Sequence, residues 1–139
     1  MDNEELHNVW IKRADLHYKS GKALASLTDR DVLLDAGTLL QQSAECYLKA
    51  ILIYHGLAED ELKKYGHRFF SIIEDISKYD KNIRELSNNL IDMQYYAVTA
   101  RYPDNGIIAE VEEVEIKKCL ATVENVKEFT ENHVKNANR

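Results

Sequence analysis

The sequence predicts an all-α fold: an antiparallel up-and-down helical bundle of four long helices plus one shorter helix. Three observations carry that expectation. One proline and five glycines leave few helix breakers in 139 residues. Apolar side chains recur at steps of three and four along most of the chain, the signature of amphipathic helices. No segment shows a convincing two-residue alternation of the kind a half-buried strand requires. With 45% hydrophobic and 30% charged residues the chain is globular in composition, and its length suits a single domain over residues 1–139, with 1–2 and 132–139 expected to fray.

The first helix is expected over Asn3 to Leu27, where Leu6, Trp10, Ala14, His17, Gly21 and Leu24 fall on one face. Gly21 costs about 1 kcal/mol in a helix interior relative to alanine, so it implies close approach by a neighbouring helix, most simply the second. Thr28 or Asp29 can cap that second helix, which runs through Asp35 to Gly56 and stops at a glycine suited to a C-terminal position.

This second helix organises the rest. Placed at roughly 100° per residue, Asp35, Gln41, Gln42, Glu45 and Lys49 share a stripe roughly 120° wide. The remaining arc holds Ala36, Leu39, Leu40, Ala44, Cys46, Tyr47, Leu48, Ala50, Ile51, Ile53 and Tyr54. A helix apolar over so much of its surface must be enclosed by others. Its polar stripe is either a solvated seam or the wall of a site.

Residues 57–66 form a polar connection with room for one helical turn. A third helix follows the Gly66-His67-Arg68 start, with Phe69, Ile72, Ile73 and Ile76 opposite Ser71, Glu74, Asp75 and Lys78. A fourth begins near Asp80 or Asn82, where Asn82 and Glu85 make a capping-box-like pair. It turns Ile83, Leu86, Leu90, Met93 and Ala97 inward and ends near Tyr95 and Tyr96. Arg101-Tyr102-Pro103-Asp104-Asn105-Gly106 interrupts the helical pattern with the only proline and a turn-forming run. The last helix is expected from Val111 to Asn136. Its Glu110, Glu112, Glu113 and Glu115 complement the helix dipole, and its inward face is Ile116, Cys119, Leu120, Val123 and Val126.

A net charge of −6 argues against a broad nucleic-acid face or an anionic-membrane face, both of which need cations. No apolar run reaches the length of a membrane span, and the acidic start MDNEEL is unlike a signal peptide, so a cytoplasmic protein is expected. Cys46 and Cys119 lack CxxC spacing and read as buried free thiols of a reducing compartment.

No histidine pair has the i, i+4 spacing of a helical zinc site, so no metal and no cofactor are expected. His7 and His133, near the termini, are expected in solvent. His17 lies on a core stripe, and His55 ends the second helix, where a cation suits the dipole. His67 opens the third helix, where a neutral ring with one hydrogen bond is expected. Glu45 and Lys49 are an ordinary i, i+4 pair worth a few tenths of a kcal/mol. Arg101, beside a rigid proline turn, can present its fork to phosphate or carboxylate, or can cap helix carbonyls and pair with Asp104. No phosphate loop, nucleophile elbow or catalytic carboxylate pair is present.

Several motifs in order resemble the HEPN family, the higher eukaryotes and prokaryotes nucleotide-binding helical bundles. Trp10 with Ala14-Asp15-Leu16 is similar to its first-helix signature. Gln41-Gln42-Ser43-Ala44-Glu45 with Leu48-Lys49-Ala50 is similar to its central "QQAAEKxLKA" helix. His67 matches the histidine opening the third helix, and Tyr96 with Arg101-Tyr102-Pro103-Asp104 resembles its "Y…RYPD" segment. Cys46-Tyr47 departs from the central wording. The ribonuclease members carry an arginine, four to six residues, then a histidine; after Arg101 this chain has Gly106, Ile107 and Ile108 there. His67 is the only stand-in for that proton carrier.

The resemblance implies a non-catalytic homodimer that binds a nucleotide or RNA phosphate near Arg101, with Tyr102, Asp104, Tyr96, His67, Glu45 and Lys49 as ligand-binding residues. It also implies a minimal nucleotidyltransferase partner in a toxin–antitoxin-like pair. A metal-independent endoribonuclease toxin and a purely structural interaction bundle are the alternatives.

Overall fold

A computed structural model describes residues 1–27, 29–96 and 110–138. Five α-helices, α1 (Asn3–Ala25), α2 (Leu33–Tyr54), α3 (Phe69–Ile76), α4 (Ser87–Met93) and α5 (Glu113–Ala137), are joined by 3-10 turns at Arg30–Val32, Glu59–Tyr65, Lys81–Leu86 and Gln94–Tyr96. No strand occurs among the described residues.

The apolar arc of α2 demands enclosure, and the fold supplies it: from Ser43 to Ile53 every residue is buried. Helix α1 lies antiparallel along it. His7 Nδ1–H donates to the Ala50 carbonyl at 2.6 Å, the Ser43 hydroxyl donates to the Ala14 carbonyl at 2.7 Å, and a Cβ on Gly21 would stand 2.9 Å from the Leu40 side chain. The close approach expected at Gly21 is therefore real, with α2 as the neighbour.

Helix α5 covers a second side. The Tyr18 hydroxyl donates to Glu124 at 2.7 Å and Lys127 lies 3.6 Å from Asp15, so α5 is antiparallel to α1. Arg30 pairs with Glu112 at 2.9 Å near one end of α2 and Tyr54 donates to Asn138 at 2.7 Å at the other, so α5 runs parallel to α2. Phe69, Ile72, Ile73 and Ile76 of α3, with Ile83, Leu90 and Met93, close the core from the remaining side. Each such side chain contributes about 1.5–3 kcal/mol by burial.

Three helices are long and α3 is short, as expected of it. The expected fourth long helix is instead, among the described residues, a 3-10 turn, the short α4 and a second 3-10 turn. The departure lies at Lys81–Leu86, which is 3-10, while Ser87-Asn88-Asn89 form the first turn of α4. At the junction the Ser87 hydroxyl donates to the Arg84 carbonyl at 2.8 Å. The expected Asn82–Glu85 capping pair is replaced by Asp80, which accepts from the Asn82 amide at 3.0 Å. Asp29 likewise accepts from the Asp31 amide at 2.9 Å ahead of α2. Asp2 and Glu5 form a reciprocal capping box on α1, and α5 continues helical to Ala137.

Candidate functional site

The polar stripe of α2 is a wall. Gln41 is 1% exposed, Glu45 7% and Lys49 8%, whereas Asp35 at the head of the stripe is in solvent. Successive steps of four residues place Gly37, Gln41, Glu45 and Lys49 along one face, and each has a specific cover. Tyr96 lies over Gly37 so closely that a Cβ there would be 2.6 Å from the ring. Glu45 Oε1 accepts from His67 Nδ1–H at 2.8 Å and from Gln41 Nε2 at 3.3 Å. Lys49 Nζ sits 3.4 Å from Glu45 Oε2 and donates to the Gly66 carbonyl at 3.2 Å. That carbonyl is aimed by a backbone φ of +56° at Gly66, the left-handed region that glycine enters without steric cost.

The 3-10 turn Glu59–Tyr65 and α3 carry His67 to this wall. Arg68 caps α3 without a side-chain bond, and the Phe69 amide is satisfied instead by Gln94 Oε1 at 2.8 Å. The same short stretch, Gln94 to Tyr96, thus braces the start of α3 and covers Gly37. Two consequences follow. The Glu45 carboxylate and the Lys49 ammonium cancel in formal charge, so the wall offers no free cation. The His67 imidazole, 42% exposed in its side chain, is held by its Nδ1–H, and its Nε2 has no hydrogen-bond partner among the described residues. One buried acceptor, Gln41 Oε1, has no partner among the described residues.

A family model described as the HEPN domain matches residues 7–133, nearly the whole chain. The chain belongs to the HEPN family. No curated protein and no solved structure matches it.

In this HEPN domain the motif residues divide into two groups. Glu45, Lys49 and His67 meet in direct contact. Tyr96 does not join them: it is buried, and its hydroxyl donates to Glu115 on α5 at 3.2 Å. Burial, then the charges of Cys119 and Glu115, push its ionisation up. Arg101, Tyr102 and Asp104 lie outside the described residues. The first-helix signature is structural. Asp15 accepts from the Tyr47 hydroxyl, and the Trp10 ring nitrogen donates to Glu59 at 3.2 Å, tying α1 to the turn before His67.

Beside Tyr96, a cleft of about 470 Å³ opens between α4 and α5. Among the described residues that line it, Asp92, Glu110 and Glu115 face one cation, Lys118. Both thiols are buried, as expected. Burial and then Glu45 raise Cys46 to about 11, and burial and then Glu115 raise Cys119 to about 12. Among the described residues no group of three metal-ligating side chains converges.

Three histidine expectations are corrected. His7 and His133 are buried, 6% and 7% exposed, because α1 and α5 extend over the end of α2. His55 is shifted against the cationic form expected at the helix end: burial and then His133 lower its pKa from 6.5. His55 Nε2 and His133 Nε2 are 2.7 Å apart, His133 Nδ1 is 3.3 Å from Asp80, and Tyr79 stacks on His55 at 3.8 Å. The sequence gives no local sign of this cluster. His17 is half-buried, with burial and then Arg13 lowering its pKa from 6.5.

Proposed function

We propose that this HEPN domain is a non-catalytic, cytoplasmic homodimer that binds a nucleotide or an RNA phosphate beside the α2 wall, Arg101 supplying the positive charge. The observation that carries this reading is the half-exposed His67, oriented through Nδ1 by the buried Glu45, with Nε2 unpartnered among the described residues. A carboxylate that is buried, shared with Lys49 and spent on one imidazole is a costly arrangement for a purely structural surface. The unpartnered Gln41 Oε1 adds an acceptor suited to an N–H of a bound group.

The wall is neutral overall, so phosphate charge requires a further cation. Arg101 stands five residues beyond Tyr96, and five residues span at most about 17 Å. Glu45 lies about 12 Å along α2 from the Gly37 seat of Tyr96, so the wall is within that span. Tyr102 and Asp104 accompany Arg101 in this reading, and a minimal nucleotidyltransferase is the proposed protein partner.

Titration of the protein with ATP, GTP and a short RNA tests the proposal. Saturable binding that falls tenfold or more in Arg101→Ala, and also weakens in His67→Ala, is expected; no binding of any of the three overturns it. Solution mass at micromolar concentration tests the dimer, and a monomer removes it. Copurification with a coexpressed nucleotidyltransferase tests that partner. The oriented imidazole also supports a second reading, metal-independent RNA cleavage with His67 as proton carrier. Cleavage of structured RNA lost in both His67→Ala and Arg101→Ala would replace the non-catalytic reading.

A further inference from the structure

The cluster at the far end of α2 has its own chemistry. Asp80 accepts from His133 Nδ1–H, which leaves His133 Nε2 as a lone-pair acceptor. The 2.7 Å contact with His55 Nε2 then requires the proton to come from His55. The neutral pair therefore has one arrangement: His55 donates to His133, and His133 donates to Asp80.

We propose that Asp80, His133 and His55 form a proton-operated latch that holds the last turns of α5 onto the end of α2 and opens on acidification. One added proton is tolerated. It makes His133 an imidazolium that donates to both neighbours, while His55 accepts at Nε2 and carries its own hydrogen at Nδ1. A second proton puts N–H against N–H at the same contact, and two cations repel where a hydrogen bond had been.

The surroundings favour this response. His55 is stacked on Tyr79, nearly parallel at 2°, and edge-on to Tyr54, while Phe129 lies over His133 at 6.1 Å. Asp80 is the carboxylate in contact with the pair. On α1, His7 meets Tyr54 edge-on and is bonded to the Ala50 carbonyl. The groove bordering His55 carries Glu61 and Asp75 against Lys64 and Lys78, so the nearby formal charges balance. Asp75 is already engaged by Tyr65 and Lys78. The depressed pKa of His55 agrees in sign: the neutral form belongs to the closed state, so closure is strongest above 6.5 and weakens as pH falls.

Amide hydrogen exchange, corrected for intrinsic rates and run with a chelator so that the proton is the only ligand, tests the latch. Protection of residues 130–137 is expected to fall about tenfold between pH 7.5 and 5.0, the factor carried by one pKa unit, while α1 and the middle of α2 stay protected. His55→Gln keeps an amide donor toward His133 and removes the titrating ring, so its protection should be nearly independent of pH. Asp80→Asn removes the balancing anion and should move the transition to lower pH. Unchanged protection in the wild type over this range overturns the proposal, as does an equal pH response in His55→Gln.

Discussion

One histidine–carboxylate contact is made on α2, at Glu45–His67, and another beyond its C-terminal end, at Asp80–His133, and they are built in opposite senses. At Glu45–His67 the anion is buried and the imidazole faces outward, 10% against 42% exposed in their side chains. At Asp80–His133 the imidazole is buried and the anion is more open, 6% against 25%. The first leaves a ring nitrogen unpartnered among the described residues. The second uses both nitrogens of His133 internally, one on Asp80 and one on His55. The same pair of residue types thus makes a presenting group in one place and a fastening in the other. Which partner is buried decides the difference.

Mutations can break that contrast. The largest expected effect is from Glu45→Ala, which strands the Lys49 ammonium in a buried site and removes the partner of His67. Both side chains of the Glu45–Lys49 pair are only 10% exposed, so solvent screens little of the loss. A destabilisation of about 3–5 kcal/mol in urea unfolding is expected; a loss below about 1 kcal/mol would mean that the wall is hydrated in solution. Next is His133→Ala, which removes the partner of His55, leaves Asp80 only the Asn82 amide, and opens a cavity. About 2 kcal/mol is expected, and a neutral outcome would deny the fastening role.

Acid sharpens the contrast more gently. His55 and His17 both have pKa values lowered from 6.5 in the folded protein, each first by burial. The unfolded chain then binds more protons as pH falls through this region, so their stabilisation is full above 6.5 and lost below it. A midpoint of thermal unfolding lower by a few degrees at pH 5.5 than at pH 7.5 is expected. The smallest stability effect is His67→Gln, within about 0.5 kcal/mol because the ring is half in solvent. Binding should suffer more than stability there, and equal losses in both would make His67 merely structural.

Much of this was legible because helix periodicity reports enclosure. The arc of α2 announced its central place, Gly21 its close contact, and the ordered motifs the family. What periodicity could not separate was a solvated polar stripe from a covered one, since Gln41, Glu45 and Lys49 read alike in both cases. The groups that meet Glu45 and Lys49, His67 and the Gly66 carbonyl, come from a later segment, as does Tyr96 over the neighbouring Gly37. His55 and His133 are 78 residues apart with no shared pattern, and their meeting depends on α5 running parallel to α2. The expected fourth helix is interrupted at Lys81–Leu86, a 3-10 turn whose apolar spacing at Ile83 and Leu86 does not separate it from an α-helix.

The enclosure of α2 also bears on how the chain matures. One flank of α2 is covered by α1, made just before it, and another by α5, made well after it. A nascent chain can pair α1 with α2 early, but the flank of α2 that α5 covers stays open until α5 has cleared the ribosome. The waiting hairpin is the species on which a chaperone would act.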